Sequence, residues 1–107
     1  MIRYWVRIET DPAIVFYREQ DTTVYGGLAY PLLANISPIR GPLGGENANA
    51  IITLINARGQ AGDVLNPPPL LRVATIFADY GGGVETLLAG TVQQVELGGQ
   101  ARISIEA

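Results

Sequence analysis

Ile2-Arg3-Tyr4-Trp5-Val6-Arg7-Ile8-Glu9 decides the class of fold. Ile2, Tyr4, Val6 and Ile8 alternate with Arg3, Trp5, Arg7 and Glu9. Successive side chains of a strand point to opposite faces, so a period of two marks a half-buried strand. Asp11-Pro12 ends the pattern, and Ala13-Ile14-Val15-Phe16-Tyr17 reads as a second strand. Arg18 to Asp21 is a polar turn, and Thr22 to Tyr25 resumes the strand pattern. Gly26-Gly27 offers two positions free to take positive φ, as a tight hairpin demands, before Leu28-Ala29-Tyr30 returns.

Working outward, the same punctuation repeats. Leu32 to Ile39 is extended, because Pro38 biases Ser37 away from helix. Gly41 to Gly45 is a loop, and Ala48 to Asn56 is the strongest strand pattern. That strand is apolar on both faces, which implies cover on both sides. Residues 57–69 read as a long loop, since Gly59 and Gly62 weaken any helix and Asn66-Pro67-Pro68-Pro69 cannot be helix interior. Strands follow at Leu70 to Ala78, Val84 to Leu88, Thr91 to Leu97 and Ala101 to Ile105. The turns between them are at Asp79 to Gly83, Ala89-Gly90 and Gly98-Gly99. The expectation is all-β, a small single-domain barrel or sandwich of about eight mostly antiparallel strands with long Gly/Pro loops. One domain over residues 1–107 fits the length.

Composition narrows the function by what it omits. The chain has no His, no Cys and no Lys; its seven basic residues are all Arg. The commonest general base, the thiol and amine nucleophiles and the soft metal ligands are therefore missing together. Ser37 and Ser104 are the only serines and have no His to activate them. The ten carboxylates fall mostly in turns or on polar strand faces, with no spacing that pairs two across a cleft. Glu46-Asn47-Ala48-Asn49 is a poor approach to a calcium loop. Gly81-Gly82-Gly83 has neither the Lys nor the helix of a phosphate loop. No catalytic residue, cofactor or metal is expected.

A net charge of −3 with scattered arginines argues against nucleic acid. No stretch approaches the ~20 apolar residues of a spanning helix, and Met1 leads straight into an alternating strand, so neither membrane nor signal peptide is expected. Only 16% of residues are charged, against about 25% in an ordinary domain. Two readings fit: partners cover uncharged surface, or the outer strand faces are simply rich in Thr, Asn and Gly. Arg3, Trp5 and Arg7 share one strand face, the composition of an interface hot spot. The alternative places Trp5 in the core with the arginines snorkelling around it. Arg40, Arg58 and Arg72 suit partner carboxylates, or are ordinary surface charge.

The order of these features resembles the tail-tip and baseplate proteins of long-tailed bacteriophages, in particular the N-terminal hub-like domain of the lambda minor tail protein L group. Ala13 to Tyr17 is similar to the early strand of that domain, and Tyr25-Gly26-Gly27-Leu28-Ala29-Tyr30-Pro31 to its aromatic–Gly return. Ile36 to Arg40 resembles the connector, Ala50 to Asn56 the long strand ending in Asn, Arg72 to Phe77 the next strand, and Leu88-Ala89-Gly90-Thr91-Val92 the turn before the closing hairpin. The likeness is one of order and spacing over residues 13–105. A helical insertion of that family is reduced here to the Gly/Pro loop, and its Cys-containing iron–sulfur part is absent.

The resemblance implies a non-enzymatic virion component, made in the cytoplasm of the bacterial host and placed in the tail tip. It would join tube to hub, spike or fibre proteins through a ring, trimer or hexamer, of its own copies. Its contact surfaces would be Met1 to Glu9, the Gly41–Asn49 loop with Leu43, and the Gly59–Pro69 loop with Arg58, Leu65 and Pro68 around it. The alternative is a β-sandwich carbohydrate-binding module, with Trp5 and the tyrosines as stacking platforms.

Overall fold

The computed structural model describes residues 2–21, 26–41 and 48–107. The alternating segment forms β1 (Arg3–Ile8), with Val6 and Ile8 fully buried and Arg3, Trp5 and Arg7 on the opposite face. Then come β2 (Ile14–Tyr17), β3 (Leu28–Tyr30), β4 (Leu33–Ile36), β5 (Asn49–Ile55), a short helix α1 (Gln60–Val64), β6 (Val73–Asp79), β7 (Val84–Leu97) and β8 (Gln100–Glu106). The strands make one eight-stranded sheet in the order β3-β2-β1-β6-β7-β8-β5-β4. Every neighbouring pair is antiparallel except β2 and β3. The fold is a mostly-β single domain, and its sheet is open: no hydrogen-bonded ladder joins the edge strands β3 and β4 among the described residues.

The sheet nevertheless curls on itself. The edge strands β3 and β4 are consecutive in the chain, separated only by Pro31 and Leu32. A link that short spans at most about 10 Å, so the two edges approach each other at this corner. Leu32 accepts a hydrogen bond from Ile55 N–H at 2.8 Å, tying the link to β5. The inner faces thus enclose one core. It takes Val6, Ile8, Phe16, Ala74 and Ile76 from one half of the sheet and Leu33, Ile52, Leu54, Ile103 and Ile105 from the other.

β7 makes the curl. Its first part pairs with β6 and its last part with β8, and Thr91 faces both Val73 and Glu106. Register shifts leave Leu87 and Gln93 unpaired on either side of this corner, and such bulges bend a strand. Gly90 sits at the bend. A Cβ there would lie 2.3 Å from the backbone oxygen of Glu106, so only glycine admits so close an approach. Val84–Leu88 and Thr91–Leu97 are therefore one strand of 14 residues, not two with a turn at Ala89-Gly90.

Two other expectations are corrected. The 57–69 segment contains α1, because Ala61 and the following Leu65 are fully buried in the core. Burial outweighs the propensity cost of Gly62. Asn56 secures the helix from below: its Oδ1 accepts Gly62 N–H at 3.0 Å and its Nδ2 donates to Gly98 O at 2.8 Å. Leu65, expected at a contact surface, is core. Of the expected Gly26-Gly27 hairpin, the return strand Leu28–Tyr30 is present and runs parallel to β2. Gly27 lets the chain pass Ala13: a Cβ there would lie 2.6 Å from the Ala13 carbonyl oxygen, and φ is +81°. The expected strand 22–25 lies outside the described residues.

Candidate interaction surface

Strand pairing places three aromatic side chains side by side on the outer face. Tyr17 of β2 faces Trp5 of β1, which faces Phe77 of β6. All three are half-buried, and none belongs to the core cluster. Trp5 and Phe77 stack with ring centroids 5.4 Å apart and planes 24° from parallel. Such pairs add about 0.5–1.5 kcal/mol beyond area burial. The next row holds Val15, Arg7 and Thr75. The apolar side of β1, by contrast, points inward as its alternation demands.

Ion pairs border the aromatic row. Arg3 binds Asp79, its cross-strand partner on β6. Asp79 Oδ1 also accepts Gly81 N–H at 2.8 Å. That backbone hydrogen bond, then the hydrogen bond and charge of Arg3, hold the carboxyl below its ordinary value, against a smaller opposing effect of desolvation. Arg7 Nε donates to Glu9 Oε1 at 2.5 Å. The arginines of the expected stripe are therefore held in place beside the rings.

The other expected contact residues are not gathered together. Arg40 bridges to Asn49 at the start of β5, whereas Arg58 follows the far end of that strand, and Arg72 lies beside Val92 at the bend of β7. All three are exposed. Pro68 is exposed while Pro69 is buried. Leu43 lies outside the described residues. The apolar outer face of β5 is partly uncovered, with Ile51 43% exposed.

Sequence reading did not assign Phe77 a place beside Trp5. The signal was present in part: Ala74, Ile76 and Ala78 alternate, so Phe77 belongs to the other face. A second feature carried less signal. An open cleft of about 410 Å³ lies where Tyr4, Leu87 and the Ile36–Ile39 segment meet, with Arg18 at its wall. The Arg18 guanidinium lies over the Tyr4 ring, 6.0 Å from its centroid.

Among the described residues no three His, Cys, Asp or Glu side chains cluster as metal ligands, and no buried side-chain polar atom lacks a partner. No helix among them is long and apolar enough to cross a membrane. The class this geometry defines is a small curled β-sheet domain with a rigid aromatic patch on its outside. No protein-family model, curated protein or solved structure matches the chain.

Proposed function

We propose that this chain is a contact module: a non-enzymatic structural component of a bacteriophage tail tip or baseplate. It would join the tail tube to hub, spike or fibre proteins. The observation that carries the reading is Trp5, stacked on Phe77 and flanked by paired arginines on the outer face of the sheet. Aromatic and Arg side chains are the groups that dominate binding energy at protein interfaces. A ring already immobilised by stacking loses little further freedom on binding. The order and spacing of the strand motifs support the tail-tip setting.

Light scattering on the chain co-expressed with the tube and hub proteins of the same phage tests the reading. The expected result is a defined ring-containing complex, weakened by Trp5→Ala. No complex with any tail protein would overturn it.

The row Tyr17–Trp5–Phe77 also favours a second reading, a carbohydrate-binding module, because it gathers three aromatic side chains on one outer face, where they can pack against a sugar. A glycan array separates the two. Micromolar sugar binding lost in Trp5→Ala, without a protein partner, would establish the second reading.

A further inference from the structure

The curl of the sheet leaves one seam without a strand. β3 pairs with β2 from Ile14 to Phe16, and the chain then turns away at Pro31 to pair with β5 as β4. β4 pairs with β5 alone among the described residues, so its other edge is free. Ser37 N–H donates to Ile51 O at 2.9 Å. Backbone groups alternate in direction along an antiparallel ladder, so the preceding residue, Ile36, turns its N–H and C=O away from β5. Such an edge is a template for another strand. Pro38, two residues on, has no N–H and keeps the run of donors short.

The open cleft lies at this seam. It takes Ile36, Pro38 and Ile39 from the β4 side, Tyr4 and Arg18 from the β1–β2 side, and Leu87 from β7. Tyr4, Ile36 and Leu87 also pack against the core cluster, so the apolar interior continues into the cleft. Its volume of about 410 Å³ is more than one side chain fills. Arg18 is the only charged residue in its wall. That guanidinium is exposed, lies over the Tyr4 ring and makes no ion pair among the described residues. A free strand edge, an apolar floor and a cation whose planar fork fits a carboxylate are thus brought together.

We propose that this seam receives a short extended segment of a partner protein that carries Asp or Glu on the same face as apolar residues. The segment adds to β4 at Ile36, lays its apolar side chains against Tyr4 and Leu87, and pairs its carboxylate with Arg18. In this mode main-chain hydrogen bonds supply affinity and alternate side chains supply specificity. A second copy of the chain is a poor source of the strand, because its other free edge, β3, has three residues and ends at Pro31. The inference does not rest on the tail-tip reading, whose aromatic row lies on the outer face.

Selection of displayed random linear decapeptides against the full chain tests it. The expected winners carry Asp or Glu at two-residue spacing from Val, Ile or aromatic residues. A synthetic peptide of the enriched sequence should slow hydrogen exchange at the Ile36 amide. Arg18→Glu should weaken its binding at least about tenfold with an unchanged melting temperature, and Arg18→Lys should lose less. Methylating alternate backbone nitrogens of the peptide should abolish binding, which side-chain contact alone does not require. Selection that enriches no sequence overturns the proposal. So does an enriched peptide whose binding survives Arg18→Glu or backbone methylation. Protection of the Ile36 amide that grows with the concentration of the chain alone would assign the seam to a second copy and also overturn it.

Discussion

The two halves of the curled sheet share one interior and differ outside. Both fill the core with Ile, Val, Leu and Ala. On the outer face of β2-β1-β6 the rows read Tyr17–Trp5–Phe77 and Val15–Arg7–Thr75. Across β7-β8-β5 they read Gln94–Ser104–Ile51 and Glu96–Arg102–Thr53. There Gln94 Nε2 binds Glu96 Oε1 at 3.0 Å, and Gln93 Nε2 binds Thr91 Oγ1 at 2.6 Å. The polar half shows that the sheet can present a solvated outer face. A solvated outer face does not require the aromatic row, and that row is the feature on which the proposed contact rests.

The comparison depends on the two halves being one cooperative unit, and Gly90→Ala is the strongest attack on that. Its added Cβ meets backbone of Glu106 and Ala107, which cannot swing aside. A loss of about 3 kcal/mol in urea unfolding is expected, with one transition by both fluorescence and circular dichroism. Two separate transitions would show that the halves unfold independently.

Trp5→Ala and Ser104→Ala sharpen the contrast between the faces. Removing Trp5 should cost about 1–2 kcal/mol, from lost stacking on Phe77 and partial burial. Ser104→Ala should stay within about 0.5 kcal/mol. A loss of about 3–5 kcal/mol for Trp5→Ala would mean the ring acts as core.

The smallest effect is electrostatic. Asp79 has a folded-state pKa below its ordinary 3.8, so its contribution to stability is present above that value and fades as pH falls through the lowered one. Asp79→Asn should therefore be less stable than wild type at neutral pH, with the gap narrowing in acid. Near pH 6.5 the stability of the wild type should be flat, since the chain has no His to titrate there. A step near pH 6.5 in thermal melts would contradict this.

Alternation made the strands legible. In β1, β6 and β8 the apolar residues at every second position are the ones buried. The faces of Trp5 and Phe77 were readable for the same reason. Their adjacency was not, because it depends on β1 pairing with β6, about 70 residues away, a choice that period two does not encode. Nor was α1 legible, since its local propensity is poor and its stability comes from Ala61 and Leu65 in the core.

By itself, then, the chain's order of residues determined the strand class, the two faces of each strand and the absence of the usual reactive side chains. The tertiary structure alone decided which strands lie side by side, where the sheet bends at Gly90, and that one edge of β4 stays free. The physical reason is range. Side-chain alternation is set between adjacent residues, whereas pairing, curl and free edges are set by contacts between segments far apart in the chain.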